Sequence, residues 1–256
     1  MNWLLLRGLA RDKRHWEDFG VVFERRVPEA TVHMLDLPGT GTEAARNSPN
    51  RMEAITEDLR DRWVALKQSH PGPWSMMAIS MGGMTAMDWC SRFPHDFESL
   101  VLINSSGGGT LSPPYHRVRP KVLKKFLQIA GSTSPAEREA HVLSFNCNLA
   151  PARDPNLHAR WTKFSESVPM SLGNMIRQLI AASRFQAPRE VGPRTLVATS
   201  MQDRLTHPSC SWKLARRLNA ALVSHATAGH DLPLDAPEWL CDQVSHWLSE
   251  PSSHIK

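Results

Sequence analysis

The chain has 256 residues, 41% of them hydrophobic, and a formal net charge of +5. That length suits one sizeable core with or without an insertion, and the apolar content is enough to pack it. No apolar run approaches the roughly 20 residues that cross a bilayer, the mild basic charge comes with no nucleic-acid-binding module, and the opening "MNWLLLRG" lacks the apolar stretch and cleavage site of a secretory signal, so a cytoplasmic protein is expected.

In chain order, "WLLL" (residues 3–6) reads as a buried strand. "HWEDFGVVFERR" (15–26) follows as an amphipathic helix. "TVHMLDL" (31–37) is a second strand, stopped by "PGTG". The segment 51–68 places Met52, Ile55, Leu59, Trp63 and Leu66 at helical spacing. "WSMMAI" (74–79) is a third strand, "GGMTAMDWCSRF" (82–93) a helix ended by Pro94, and "SLVLIN" (99–104) a fourth strand. From about residue 105 to 193 the chain is punctuated by Pro and Gly and mostly helical. The earlier rhythm then resumes. A strand is expected at 195–200, a helix at 209–218, a strand at 221–226 and a last helix at 237–248.

Strand–helix alternation predicts an α/β fold whose parallel sheet carries helices on both faces. Ligands in such sheets bind outside the carboxyl ends of the strands. Catalytic residues are therefore expected just after strands. Residues 1–104 and 194–256 are expected to form one core domain, with residues 105–193 as a helical lid inserted over that edge.

Ser80 fits the first expectation. It follows the third strand directly, and the small residues Ala78, Gly82 and Gly83 flank it. A tight turn there would thrust its hydroxyl out of the sheet edge and aim the next helix N-terminus at it. The plainer alternative is a serine that merely caps the helix. His230 lies after the strand 221–226, where Gly229 frees the backbone, and its near-neutral pKa suits proton transfer. Asp203 follows the strand 195–200 and could orient the imidazole. Asp231 is a poorer choice for that role, and Asp235 is expected to start the last helix. Asn104 ends a strand but cannot supply a charge. Two backbone donors would complete the set: the Met81 N–H, and the Leu9 N–H in the loop that Gly8 allows to turn.

These segments together resemble the α/β-hydrolase superfamily. "LLLRGLARDKRHW" resembles its first strand and oxyanion loop, "LDLPGTGTE" its D-x-P-G-x-G segment, and "AISMGGMTAMDW" its nucleophile elbow. "SMQDRLTHP" and "AGHDLPLDAPEWL" resemble its acid and histidine loops. Length and layout are similar to small carboxylesterases, including methyl esterases acting on a pimeloyl carrier protein, and to C–C bond hydrolases. Two positions depart from the family pattern: Arg7 stands where the loop histidine is usual, and Ala78 replaces the first elbow glycine. The resemblance implies about six strands, with the family's N-terminal hairpin shortened or absent.

It also implies a serine hydrolase using Ser80, His230 and Asp203, with no metal or organic cofactor. The expected substrate is an apolar ester or thioester. Phe126, Phe145, Trp161, Phe164 and Met175 of the inserted segment are expected to line its pocket. The basic run "HRVRPKVLKKF" (116–126) reads as a solvated helix face, or else as a docking surface for an acidic acyl carrier. A C–C bond hydrolase and a non-catalytic binding protein of the same fold remain the alternatives. Cys90, Cys147, Cys210 and Cys241 form no metal or disulfide spacing and read as reduced thiols.

Overall fold

A computed structural model describes residues 1–250. Six strands form one parallel sheet: β1 (Asn2–Leu6), β2 (Thr31–Leu35), β3 (Trp74–Ile79), β4 (Ser99–Ile103), β5 (Arg194–Ser200) and β6 (Ala221–His225). Their order across the sheet is β2-β1-β3-β4-β5-β6. The helices of the sheet region are α1 (Phe19–Arg26), α2 (Met52–Ser69) and α3 (Met81–Arg92). Between β4 and β5 lie α4 (Pro114–Arg117), α5 (Pro120–Gly131), α6 (Pro135–Asn146), α7 (Ala150–Arg153), α8 (Leu157–Ser167) and α9 (Leu172–Arg184). α10 (Ser209–Arg217), α11 (Leu232–Asp235) and α12 (Pro237–Ser249) complete the chain as described. No helix among the described residues is long and apolar enough to cross a membrane.

The period-2 geometry of strands divides their side chains between two cores. Leu4, Leu6, Met76, Ala78, Leu100 and Leu102 face one side, where they pack on α2, α3 and α10. Trp3, Leu5, Met77, Ile79, Val101 and Ile103 face the other, against α1 and α12. Both faces are apolar, so these strands read as nearly unbroken hydrophobic runs. A third cluster joins α5, α6 and α8 to Leu234 of the sheet region.

The order of strands places the functional edge. The chain runs outward from β1 to β2, then returns past β1 to β3. The loops leaving β1 and β3 therefore sit side by side at the carboxyl edge, at the switch point where such sheets bind ligands.

One expected element is split. The helix expected over residues 15–26 is a 3₁₀ turn, Lys13–Trp16, followed by α1. Glu17 between them has φ +50, which an α-helix cannot accommodate. Its carboxylate instead accepts bonds from Arg160 Nε at 2.8 Å and Trp161 Nε1 at 3.0 Å. All four cysteines are buried and free.

Candidate active site

β3 ends at Ile79 and α3 begins at Met81, so Ser80 alone makes the turn. Its backbone stands at φ 57, ψ −120, a conformation costly for a residue with a Cβ. The surroundings hold it there. Ser80 N donates to Ile103 O at 2.9 Å, and Ser80 O accepts from Ser105 Oγ at 2.7 Å and Met84 N at 3.3 Å. Although Ser80 occupies the N-cap position of α3, its side chain makes no capping bond. The hydroxyl is thus left for other uses, contrary to the capping alternative.

Small residues make the turn possible. A Cβ on residue 82 would lie 2.5 Å from Arg7 O and 2.7 Å from Leu6 O, both backbone atoms. A Cβ on residue 83 would lie 2.7 Å from Ser105 Oγ. Ala78 has no such conflict: its methyl is fully buried in the core shared with α3.

The loop after β1 presses on Ser80 from the other side. A Cβ on Gly8 would approach Ser80 Cβ to 3.0 Å and Oγ to 3.5 Å. In that loop Ala10 N donates to Gln178 Oε1 and Arg11 N to Gly8 O. Leu9 N donates to no acceptor among the described residues. Met81, as the first residue of α3, has an N–H with no acceptor inside the helix.

The acid and the imidazole meet across the ends of β5 and β6. Asp203 Oδ2 lies 2.8 Å from His230 Nδ1, and both side chains are buried. Asp203 Oδ1 accepts from Leu205 N at 2.7 Å and Thr206 N at 2.9 Å, which fixes the carboxylate. An imidazole held in this way has one tautomer favoured and its other nitrogen available to take a proton. His230 and Ser80 line the same cavity. Among the described residues no hydrogen bond joins the Ser80 hydroxyl to the imidazole; such bonds commonly tighten only when substrate is bound.

Three further residues hold the histidine loop, and none was assigned that role from sequence. Asn104 Nδ2 donates to His230 O at 2.8 Å and Ser200 Oγ at 3.0 Å, while its Oδ1 accepts from Ser200 N at 2.9 Å. The amide supplies both a donor and an acceptor there, whereas a carboxylate would supply acceptors alone. Asp235 does not start α12, as expected; it closes α11 and is buried. Its carboxylate accepts the N–H groups of Gly229, Asn148, Leu149 and Ala150 at 2.6, 2.7, 2.9 and 2.7 Å. It thereby ties the histidine loop to the segment between α6 and α7. Asp231 pairs with Arg7, whose guanidinium also lies over the Trp16 ring.

The cavity beside Ser80 encloses about 370 Å³. Phe126, Phe145 and Met175 line it, with Ile79, Ile129, Val142, Met170, Leu172 and Leu205. Trp161 and Phe164, expected in the pocket, do not line it. Trp161 is fully buried among α6, α8 and the 3₁₀ turn, with its ring edge-on to His15. Phe164 packs against His15 and under the Arg14 guanidinium. Charged groups of the wall are Arg7, Arg11, Arg138, Glu139 and Asp231. Burial opposes ionisation of Glu139, but the Arg11 charge and the bonds from Ser165 and Arg11 prevail and lower its pKa.

The basic run at residues 116–126 is only partly a solvated face. Arg119 Nη1 donates to Asp203 O at 2.7 Å, and Arg117 donates to Ala182 O and Ser106 Oγ. Lys121 and Lys124 remain exposed.

A family model described as the alpha/beta hydrolase fold matches residues 4–237. The pimeloyl-[acyl-carrier protein] methyl ester esterase of Yersinia enterocolitica is 28% identical over 127 residues, 49% of this chain and 44% of that protein. The esterase of the same name from Chromobacterium violaceum is 32% identical over 92 residues, 36% of this chain and 33% of that protein. The chain thus matches less than half the length of these curated relatives. Among solved structures, the enol-lactonase from Burkholderia xenovorans superposes with a TM-score of 0.77 at 20% identity, over 97% of this chain and 92% of that one. By the extent of the family match and the agreement in fold, the chain belongs to the alpha/beta hydrolase fold family.

Proposed function

We propose that the protein is a serine hydrolase that cleaves a hydrophobic carboxylic ester or thioester through an acyl-enzyme. The observation that carries this reading is the meeting of two unlike features on one cavity wall. One is Ser80, held in a strained turn with its hydroxyl uncommitted; the other is His230, bound to a fixed, buried Asp203.

In the proposed reaction Ser80 Oγ attacks the carbonyl carbon and its proton passes to His230 Nε2. Asp203 stabilises the imidazolium without taking the proton. The Leu9 and Met81 N–H groups receive the carbonyl oxygen as it gains charge; each such donor is typically worth ~3 kcal/mol in the transition state. Collapse expels the alkoxide or thiolate, which takes the proton from His230. Water then adds to the acyl-enzyme by the same route and releases the acid. The ester or thioester and one water supply every atom of the products, and His230 carries each proton between them.

The helices α4 to α9 serve as the lid, and Phe126, Phe145 and Met175 bind the apolar part of the substrate. The names of the curated relatives, together with exposed Lys121 and Lys124, suggest an acidic acyl carrier as a partner. Hydrolysis of p-nitrophenyl esters of graded acyl length tests the reading. Turnover by the native protein that is lost in Ser80→Ala is expected. Ligand binding without turnover would favour a non-catalytic member of the family.

A further inference from the structure

Five charged side chains line the cavity besides His230: Arg7, Arg11, Arg138, Glu139 and Asp231. Four of them cancel in pairs. Arg7 grips Asp231 with both terminal nitrogens, and Arg11 Nη1 lies 2.7 Å from Glu139 Oε2. The Arg138 side chain, half-buried, makes no hydrogen bond or ion pair among the described residues, although its backbone N–H donates to Ser134 O. Among the described residues, the cavity wall therefore carries one cation, Arg138, that no carboxylate compensates.

Its position relative to the reaction centre is fixed by α6. That helix turns one face to the cavity, with Arg138, Glu139, Val142, Phe145 and Asn146. At its far end Asn146 O accepts the N–H of Asp231, the neighbour of His230. Eight residues of helix separate the two ends, about 12 Å along the axis at 1.5 Å per residue. A ligand lying along α6 from the Ser80 end would pass Phe145 and Val142 before it reached the guanidinium.

We propose that Arg138 is an anion-recognition subsite, and that the protein prefers esters bearing a carboxylate or similar anion roughly two helical turns from the scissile bond. The apolar stretch of the cavity receives the intervening methylenes, and the planar guanidinium takes the anion through paired N–H bonds. This proposal rests on the hydrolase reading above and adds a substrate class to it. The anion could belong to the acyl part or to the alcohol part of the ester.

Two series of compounds separate those sources. Monomethyl esters of straight-chain α,ω-dicarboxylic acids carry the anion on the acyl side. Acetate esters of ω-hydroxyalkanoic acids carry it on the alcohol side. Each is compared with its neutral counterpart of equal length by kcat/KM. The native protein should favour the anionic ester of one series by about tenfold or more, as expected of a hydrogen-bonded charge. The preference should fall in Arg138→Gln, survive in part in Arg138→Lys, and be unmoved by Arg177→Gln on α9, which removes the same charge elsewhere. Equal kcat/KM for anionic and neutral esters in both series would overturn the proposal, as would a preference that Arg138→Gln leaves intact. Should no ester turn over, the hydrolase reading fails by itself. Calorimetric titration of Ser80→Ala with the same esters then decides the subsite. Tighter binding of an anionic ester that is lost on adding Arg138→Gln supports it, and equal or absent binding overturns it.

Discussion

Arg7 and Asp231 are 224 positions apart in the chain and form a buried, two-pronged ion pair, with Nη1 3.0 Å from Oδ1. The pair ties the loop that presses Gly8 on Ser80 to the loop that carries His230. Arg7, which stands where the family pattern has a histidine, joins the two loops in this chain. Both charges are out of water, so removing one leaves the other uncompensated. Arg7→Met is expected to cost about 3–5 kcal/mol of stability. The double variant Arg7→Met/Asp231→Leu should recover most of that while activity stays low, because the two loops are no longer joined. Urea unfolding and ester turnover measured on all three variants check both halves of the prediction.

Asn104 stands at a strand end where some proteins of this architecture place the catalytic acid. Its amide bridges Ser200 and the His230 carbonyl. In Asn104→Asp a carboxylate would face the His230 carbonyl oxygen, and acceptor would oppose acceptor. The expected loss is about 1–3 kcal/mol, the cost of leaving buried polar groups unpaired. Activity should fall as well, since the displaced carbonyl belongs to the histidine. Thermal unfolding and kcat measured together test this; unchanged values of both would refute it.

The elbow makes opposite predictions for neighbouring glycines and alanines. Gly82→Ala would drive a methyl against two backbone carbonyls and should destabilise by more than 1 kcal/mol and abolish turnover. Ala78→Gly only removes a methyl from a packed core and should cost no more than about 1–2 kcal/mol with turnover retained. Ser80→Gly should be more stable than Ser80→Ala by about 1 kcal/mol, because glycine accepts φ 57 without strain. Denaturant midpoints of these variants are the measurement.

Acid should loosen the contact between α6 and the loop after β1. The folded-state pKa of Glu139 is lowered: burial would raise it, but Arg11 and Ser165 outweigh that effect. A depressed carboxyl contributes stability in full above its unfolded value, ~4.3, and loses it as the pH falls through the folded value. Glu139→Gln should therefore flatten the decline of stability with pH below about 4.3 and lower stability near neutrality. Unfolding free energies measured at several pH values for native and variant protein give the comparison.

How much of this was legible in the sequence depends on the range of the interaction. β3 spans residues 74–79, as the run "WSMMAI" predicts. Ser80, Asp203 and His230 stand out as candidates in the sequence because each follows a strand, and the carboxyl ends of parallel strands share one edge. The break before α1 is not legible locally: it falls at Glu17, whose φ is +50 and whose carboxylate bonds to Arg160 and Trp161 far along the chain. Trp161 and Phe164 read as pocket residues because an aromatic residue on an inserted helix reads the same on either face. Their partners, His15 and Arg14, lie in the β1 loop. Asp235 sits where a helix start is expected, and nothing local shows that four N–H groups from elsewhere converge on it.

In the proposed reaction Ser80 carries the acyl group from acylation to deacylation. Mass spectrometry of protein quenched early in the turnover of a p-nitrophenyl ester tests it most directly. The expected result is one acyl adduct per chain, located on the peptide containing Ser80 and absent in Ser80→Ala. Undiminished turnover in Ser80→Ala, or an adduct that persists elsewhere in Ser80→Ala, would contradict it.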